Sequence, residues 1–201
     1  MSKESTVKLV PVTGDDAKWE LPSPGRTAMF GLIAAESAIF VIFIVAYAFY
    51  IGKTTSGPTP SVLSLPIFIS VCLLSSSATM ELAIRGLRRG NTGAFAAWWL
   101  VTFALGAIFL VGTGIEWRHL ILDEGLTIHT NLFGTTFYSL VGLHGIHVTV
   151  GLILIATVGV FTAFSKLTRE HASKVEVLSL YWHFVDSVWV VVFTLVYVVG
   201  R

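Results

Sequence analysis

Charge is scarce in this chain. Only 12% of its 201 residues are Asp, Glu, Lys or Arg, about half the share found in a soluble domain. That shortage excludes an ordinary water-soluble fold. Cysteine is nearly absent. The single Cys72 rules out an internal disulfide, and its place inside an apolar run reads as a small packing residue. No internal repeat stands out. No apolar core ahead of a small-residue cleavage site is seen in residues 1–26, so no signal peptide is expected there. The formal net charge of +1 carries no mark of a nucleic-acid partner, and none is expected.

What the chain has instead is apolar length. Hydrophobic residues make up 54%, and the mean hydropathy is +0.79. These values predict an all-α integral membrane protein folded as one bundle. Five candidate spans follow a polar tail at residues 1–26: about 27–52, 62–84, 94–115, 131–163 and 177–199. The last has about 23 residues, which at ~1.5 Å each reach roughly 34 Å, enough to cross a bilayer. Pro22 and Pro24 close the tail; Gly52, Lys53, Gly57, Pro58 and Pro60 read as a turn; Pro66 stands near the start of the second span. That span carries the small run Ser75, Ser76, Ser77, Ala78, Thr79, a sequence that allows close helix approach in lipid. Trp98, Trp99 and Trp117 bracket the third span like an aromatic belt. Residues 116–130 read as a longer loop with solvated His119 and His129.

Charge placement orients the bundle. With five spans the loops alternate in side. Lys3, Lys8, Lys18, Arg26, Arg85, Arg88, Arg89, Lys166, Arg169 and Lys174 fall with the N-terminus, and only Lys53, Arg118 and Arg201 opposite: 10 against 3 of the 13. The positive-inside rule then predicts a cytoplasmic N-terminus and a periplasmic C-terminus, in a multi-pass protein of the inner (plasma) membrane.

Several polar groups lie inside these spans. A carboxylate at the centre of a membrane helix costs about 2.5–3.5 kcal/mol on insertion scales, so each needs a reason. Glu36 is about 9 residues into the first span, roughly 14 Å from its cytoplasmic end, and Asp186 is as deep in the fifth. His183 shares a helix face with Asp186. His144 and His147 lie nearer mid-membrane. A metal site wants more converging ligands than these two imidazoles supply. The reading is interhelical hydrogen bonding, with Gly142 and Gly145 admitting a neighbour. Glu36 and Asp186 fit either a proton relay or neutral hydrogen-bonded groups that fix helix register. Glu81 reads as a snorkelling group near the cytoplasmic surface. Tyr181, Trp182 and Trp189 read as interfacial and packing aromatics.

Taken in order, these segments resemble a known family. Tyr181-Trp182-His183-Phe184-Val185-Asp186-Ser187-Val188-Trp189 resembles the signature of subunit III of haem–copper oxidases. Gly142-Leu143-His144-Gly145-Ile146-His147-Val148 with Gly151 is similar to its glycine–histidine helix, and Ala35-Glu36-Ser37-Ala38-Ile39-Phe40 with Ala46-Tyr47-Ala48-Phe49-Tyr50 to its buried-glutamate helix. Leu65-Pro66 with Leu73-Leu74-Ser75-Ser76-Ser77 resembles the next helix, and Glu116-Trp117 the acidic–aromatic end of the one after. The matches run over residues 27–199. Ala35 stands where the family often has Ser. The first two of the family's seven helices are missing, so a lipid-holding cleft cannot be complete within this chain.

The resemblance implies a short five-helix bacterial subunit of a cytochrome c or quinol oxidase, with no catalytic or metal-binding residue of its own. Haem and copper are expected in partner subunits: catalytic subunit I, with subunit II and small subunits alongside. This chain is expected to hold phospholipid, stabilise the catalytic subunit and support proton uptake. In that frame Glu36, Asp186 and His183 form the proton environment, and His144, His147, Gly142, Gly145, Trp182 and Trp189 serve packing or lipid contact. A nitric oxide reductase accessory subunit and a small proton-coupled transporter remain as alternatives.

Overall fold

The computed structural model describes residues 23–54, 56–164 and 167–200. The tail at residues 1–22, with Lys166 and Arg201, lies outside the described residues. The rest forms five long helices: α1 (Pro24–Tyr50), α2 (Ile67–Arg88), α3 (Thr92–Leu122), α4 (Leu132–Ala163) and α5 (Ala172–Phe193). A π-helical stretch, Thr194–Val199, continues α5. All five helices are long and apolar enough to cross a membrane.

The helix ends differ from the sequence-based spans where local chemistry decides. Pro24 lies inside α1 at its first turn, where a fixed φ and a missing N–H cost nothing. The α2 helix starts five residues later than expected, at Ile67. Pro60–Val62 makes a separate 3₁₀ turn, and Pro66 holds the preceding residue out of the helical region. The α3 helix runs on to Leu122, so residues 116–122 are helical and only 123–131 form the loop. Gly125, at φ +64°, turns the chain there. Exposed His119 is thus on α3, 3.7 Å from Asp123, and exposed His129 is in the loop.

The topology follows from the turns. Gly90 adopts φ +75° after α2, and Asn91 caps α3 by accepting a hydrogen bond from the Ala94 amide at 2.9 Å. The result is a tight α2–α3 hairpin. α3 packs on α4, α4 on α5 and α5 on α2, which closes a four-helix ring. α1 lies outside the ring across α4 and α5, and fully buries only Phe40 and Tyr47.

Polar contacts fix which helix ends meet. At one end Glu176 of α5 accepts from Arg26 of α1 at 2.9 Å and from Arg88 of α2 at 2.7 Å. At the other, Asn131 caps α4 by accepting from the Gly134 amide, and its Nδ2 donates to the carbonyls of Ser56 and Pro58 in the α1–α2 loop. Tyr197 there donates to Glu116 at 3.3 Å. The helices therefore alternate in direction.

In lipid, helix association rests on close packing and interhelical hydrogen bonds. The fully buried Trp182 ring is sandwiched between two glycines. A Cβ on Gly151 would stand 2.7 Å from it, and one on Gly106 2.9 Å. Its indole N–H donates to Ser76 at 2.8 Å. Trp189, also buried, donates to Ser70 at 3.0 Å, and Trp99 donates to the Ile155 carbonyl at 2.8 Å. Both α5 tryptophans are core residues, not interfacial ones. An indole N–H that finds an internal acceptor has no need of the headgroup region.

Candidate functional site

Two separate polar clusters occupy the middle of the bundle. The first joins α1 to α4. His147 Nε2 lies 3.0 Å from Glu36 Oε2, while His147 Nδ1 lies 2.8 Å from the Leu143 carbonyl. A carbonyl only accepts, so Nδ1 carries a proton. The Nε2···Oε2 contact then holds one further proton. On nitrogen it makes an ion pair, on oxygen a neutral pair; either way the pair is electrically balanced. Phe40 lies beside the imidazole at 4.8 Å, and Tyr181 of α5 donates to the His147 carbonyl at 3.1 Å. The Glu36 side chain keeps 25% exposure and His147 11%. The acid is therefore paired inside the protein yet reachable from its surface.

The second cluster joins α2 to α5. Ser77 donates to Asp186 Oδ2 and stands 2.9 Å from His183 Nδ1. A hydroxyl has one proton to give. With that proton on Asp186, His183 Nδ1–H must donate to Ser77. Asp186 and His183 thus meet the same serine of a neighbouring helix. Asp186 is buried, and its Oδ1 has no hydrogen-bond partner among the described residues.

Similar depth did not make Glu36 and Asp186 neighbours: each belongs to its own cluster. His147 makes the expected interhelical hydrogen bond, but His144 does not. Three residues turn the side chain about 60° around the helix. This sends His144 into the aromatic core, stacked on Trp189 at 4.9 Å with Phe109 at 5.7 Å, and neither ring nitrogen has a hydrogen-bond partner among the described residues. Gly142 meets the Trp117 ring, 3.3 Å from where its Cβ would be, but nothing among the described residues comes within 4 Å of a Cβ at Gly145. The tightest glycines of α4 are Gly134, against the Thr127 carbonyl, and Gly151, against the Trp182 ring. Glu81 pairs with Arg85 at 3.0 Å one turn on. Among the described residues no three His, Cys, Asp or Glu side chains converge as a metal-holding group.

Sequence reasoning misplaced one acid and missed another. Glu116 is a helical residue of α3 facing Tyr197, not a loop residue. The return of apolar residues at Leu120, Ile121 and Leu122 was the available signal. Glu176 staples three helix ends, and only its position between a basic loop and an apolar span hinted at this.

The family model for cytochrome c oxidase subunit III matches residues 31–201. The chain belongs to that family. A cytochrome c oxidase subunit 3 of Alkalihalophilus pseudofirmus is 37% identical over 84% of this chain and 83% of its own length. One from Synechocystis is 41% identical over 84% and 74%. A cytochrome bo(3) ubiquinol oxidase subunit 3 of Pseudomonas aeruginosa is 34% identical over 88% and 87%. The chain is an oxidase subunit III, part of an oxidase complex and a multi-pass membrane protein.

Proposed function

We propose that this chain is a non-catalytic subunit of a proton-pumping terminal oxidase, seated in the inner membrane with its N-terminus cytoplasmic. It stabilises catalytic subunit I beside subunit II and small subunits, which hold the haem and copper that reduce oxygen to water. It binds phospholipid and supports proton uptake into its neighbour. The observation that carries this reading is the Glu36–His147 pair: one shared proton, on a partly exposed carboxylate deep in the bundle. A carboxyl group paired inside the bundle yet reachable from its surface is the kind of intramembrane acid that marks proton paths. Lipid has a place as well. An open apolar groove of about 660 Å³, lined by Phe43, Trp117, Ile121, Tyr138, Gly142 and Ile146, runs along the outside of α1, α3 and α4.

The test is Glu36→Gln in the intact complex. The amide keeps the shape and a hydrogen bond to His147 but cannot exchange a proton. Oxygen consumption and its persistence over many turnovers are measured with reduced cytochrome c and with a quinol. The expected result is normal assembly with a shortened active lifetime. Wild-type persistence across pH would remove Glu36 from any proton role. Consumption of nitric oxide in place of oxygen by the intact complex would overturn the oxidase reading.

A further inference from the structure

The α2–α5 seam carries a polar atom that the described residues do not satisfy. His183 Nδ1–H is committed to Ser77, as argued above, so Nε2 presents a bare lone pair. His183 is half-buried, and among the described residues Nε2 has no hydrogen-bond partner and is not enclosed. It lies level with Ser77, midway along α2. Glu81, one turn from Ser77 on α2, lies within electrostatic reach of the same imidazole. Lipid tails offer such an acceptor nothing. The exposed mid-helix positions elsewhere differ: Ile42 on α1, Val111 on α3 and Ile153 on α4 are apolar and suit lipid.

The seam is also shaped for a helix. Further along the seam from His183, toward the start of α2, runs an apolar groove of about 210 Å³, lined by Ile67, Val71, Leu74, Trp189, Val190 and Phe193. Exposed Ala78 stands one turn beyond Leu74, and exposed Ser187 about one turn before Val190. These small side chains flank His183 where a neighbouring backbone would have to come closest.

We infer that the α2–α5 seam docks a transmembrane helix of a partner oxidase subunit, which donates a hydrogen bond to His183 Nε2 from a hydroxyl, amide or indole side chain. The inference rests on the reading of this chain as a subunit of an oxidase complex. It adds the face that docks and the chemistry of the group that meets it.

Two measurements on the intact complex test it. In the first, a photoreactive benzoylphenylalanine replaces Leu74 or Val190 in the seam, or Ile42, Val111 or Ile153 on the other faces. Irradiation is expected to join the seam positions to one larger membrane subunit. Adducts with another subunit only from positions 42, 111 or 153 would overturn the seam while leaving the complex intact. Seam adducts with a second copy of this chain would overturn the choice of partner. No adduct with any subunit from any position would overturn both the seam and the reading of the complex. In the second, retention of the chain during detergent purification is followed for His183→Leu and His183→Gln. Loss about tenfold faster for the leucine variant is expected, from one interhelical hydrogen bond. Near-normal retention is expected for glutamine, which keeps an acceptor. Equal retention of wild type and His183→Leu would overturn the role of the imidazole.

Discussion

Single residues set the tightest constraints in this bundle. Gly106 and Gly151 exist in α3 and α4 because the Trp182 ring occupies the space that their side chains would fill. Overpacking such a site typically costs about 1–3 kcal/mol. Gly151→Ala is therefore expected to lower the thermal midpoint of the purified complex by several degrees, read from loss of oxygen consumption on heating. Gly145→Ala, with open space around its Cβ position in this chain, serves as the control and should leave the midpoint unchanged unless a partner lies there. Trp182→Phe keeps most of the ring but removes the N–H that Ser76 accepts; about 1 kcal/mol is expected to be lost, by the same measurement. These close contacts were only half legible in the sequence. The glycine-rich helix was evident, but which of its glycines faced Trp182 depended on helix rotation, which the sequence does not carry.

At the scale of elements, the loops and helix ends determine the topology. Asn131 both caps α4 and holds the α1–α2 loop, through its carbonyl oxygen and its amide respectively. Asn131→Asp keeps the cap but loses both donated bonds; Asn131→Ala loses everything. The alanine variant is expected to be the less stable by about 1 kcal/mol, and both should show faster proteolysis in the 52–59 loop than wild type, read by mass spectrometry of the fragments. Glu176 is the counterpart at the other end, but its arginine partners are about half exposed. Glu176→Gln is accordingly expected to shift stability by less than about 1 kcal/mol, although it touches three helices. Helix existence was readable from hydropathy alone, since each span is a long apolar run. Helix ends were not. They depended on Pro66, on Gly125 and on how far α3 could continue once its Glu116 found Tyr197.

At the scale of the molecule, α1 is the most independent part. It leans on α4 and α5 from outside the ring, and its hold combines the burial of Phe40 and Tyr47 with the Glu36–His147 bond and the Arg26–Glu176 ion pair. Expressed as two pieces divided in the 52–59 loop, the chain is expected to reassemble, with α1 co-purifying with the other four helices. Glu36→Leu in the α1 piece should abolish or strongly reduce that recovery, because His147 would then be left facing an apolar neighbour. Recovery unchanged by Glu36→Leu would mean that apolar packing alone seats α1.

The sequence by itself determined that this protein lives in a membrane, that it crosses five times, and which family it resembles. Those features are carried by composition, by run length and by short ordered motifs, all local along the chain. It also singled out Glu36, His147, His183 and Asp186 as residues in need of a reason. Only the tertiary structure decided what each one meets. Glu36 found His147 across α1 and α4; His183 and Asp186 found Ser77 across α2 and α5; His144, three residues from His147, found only aromatic rings. A helix turns 100° per residue, so the partner of a buried polar group depends on the rotation and neighbour order of whole helices. Hydropathy carries neither. Only packing fixes them.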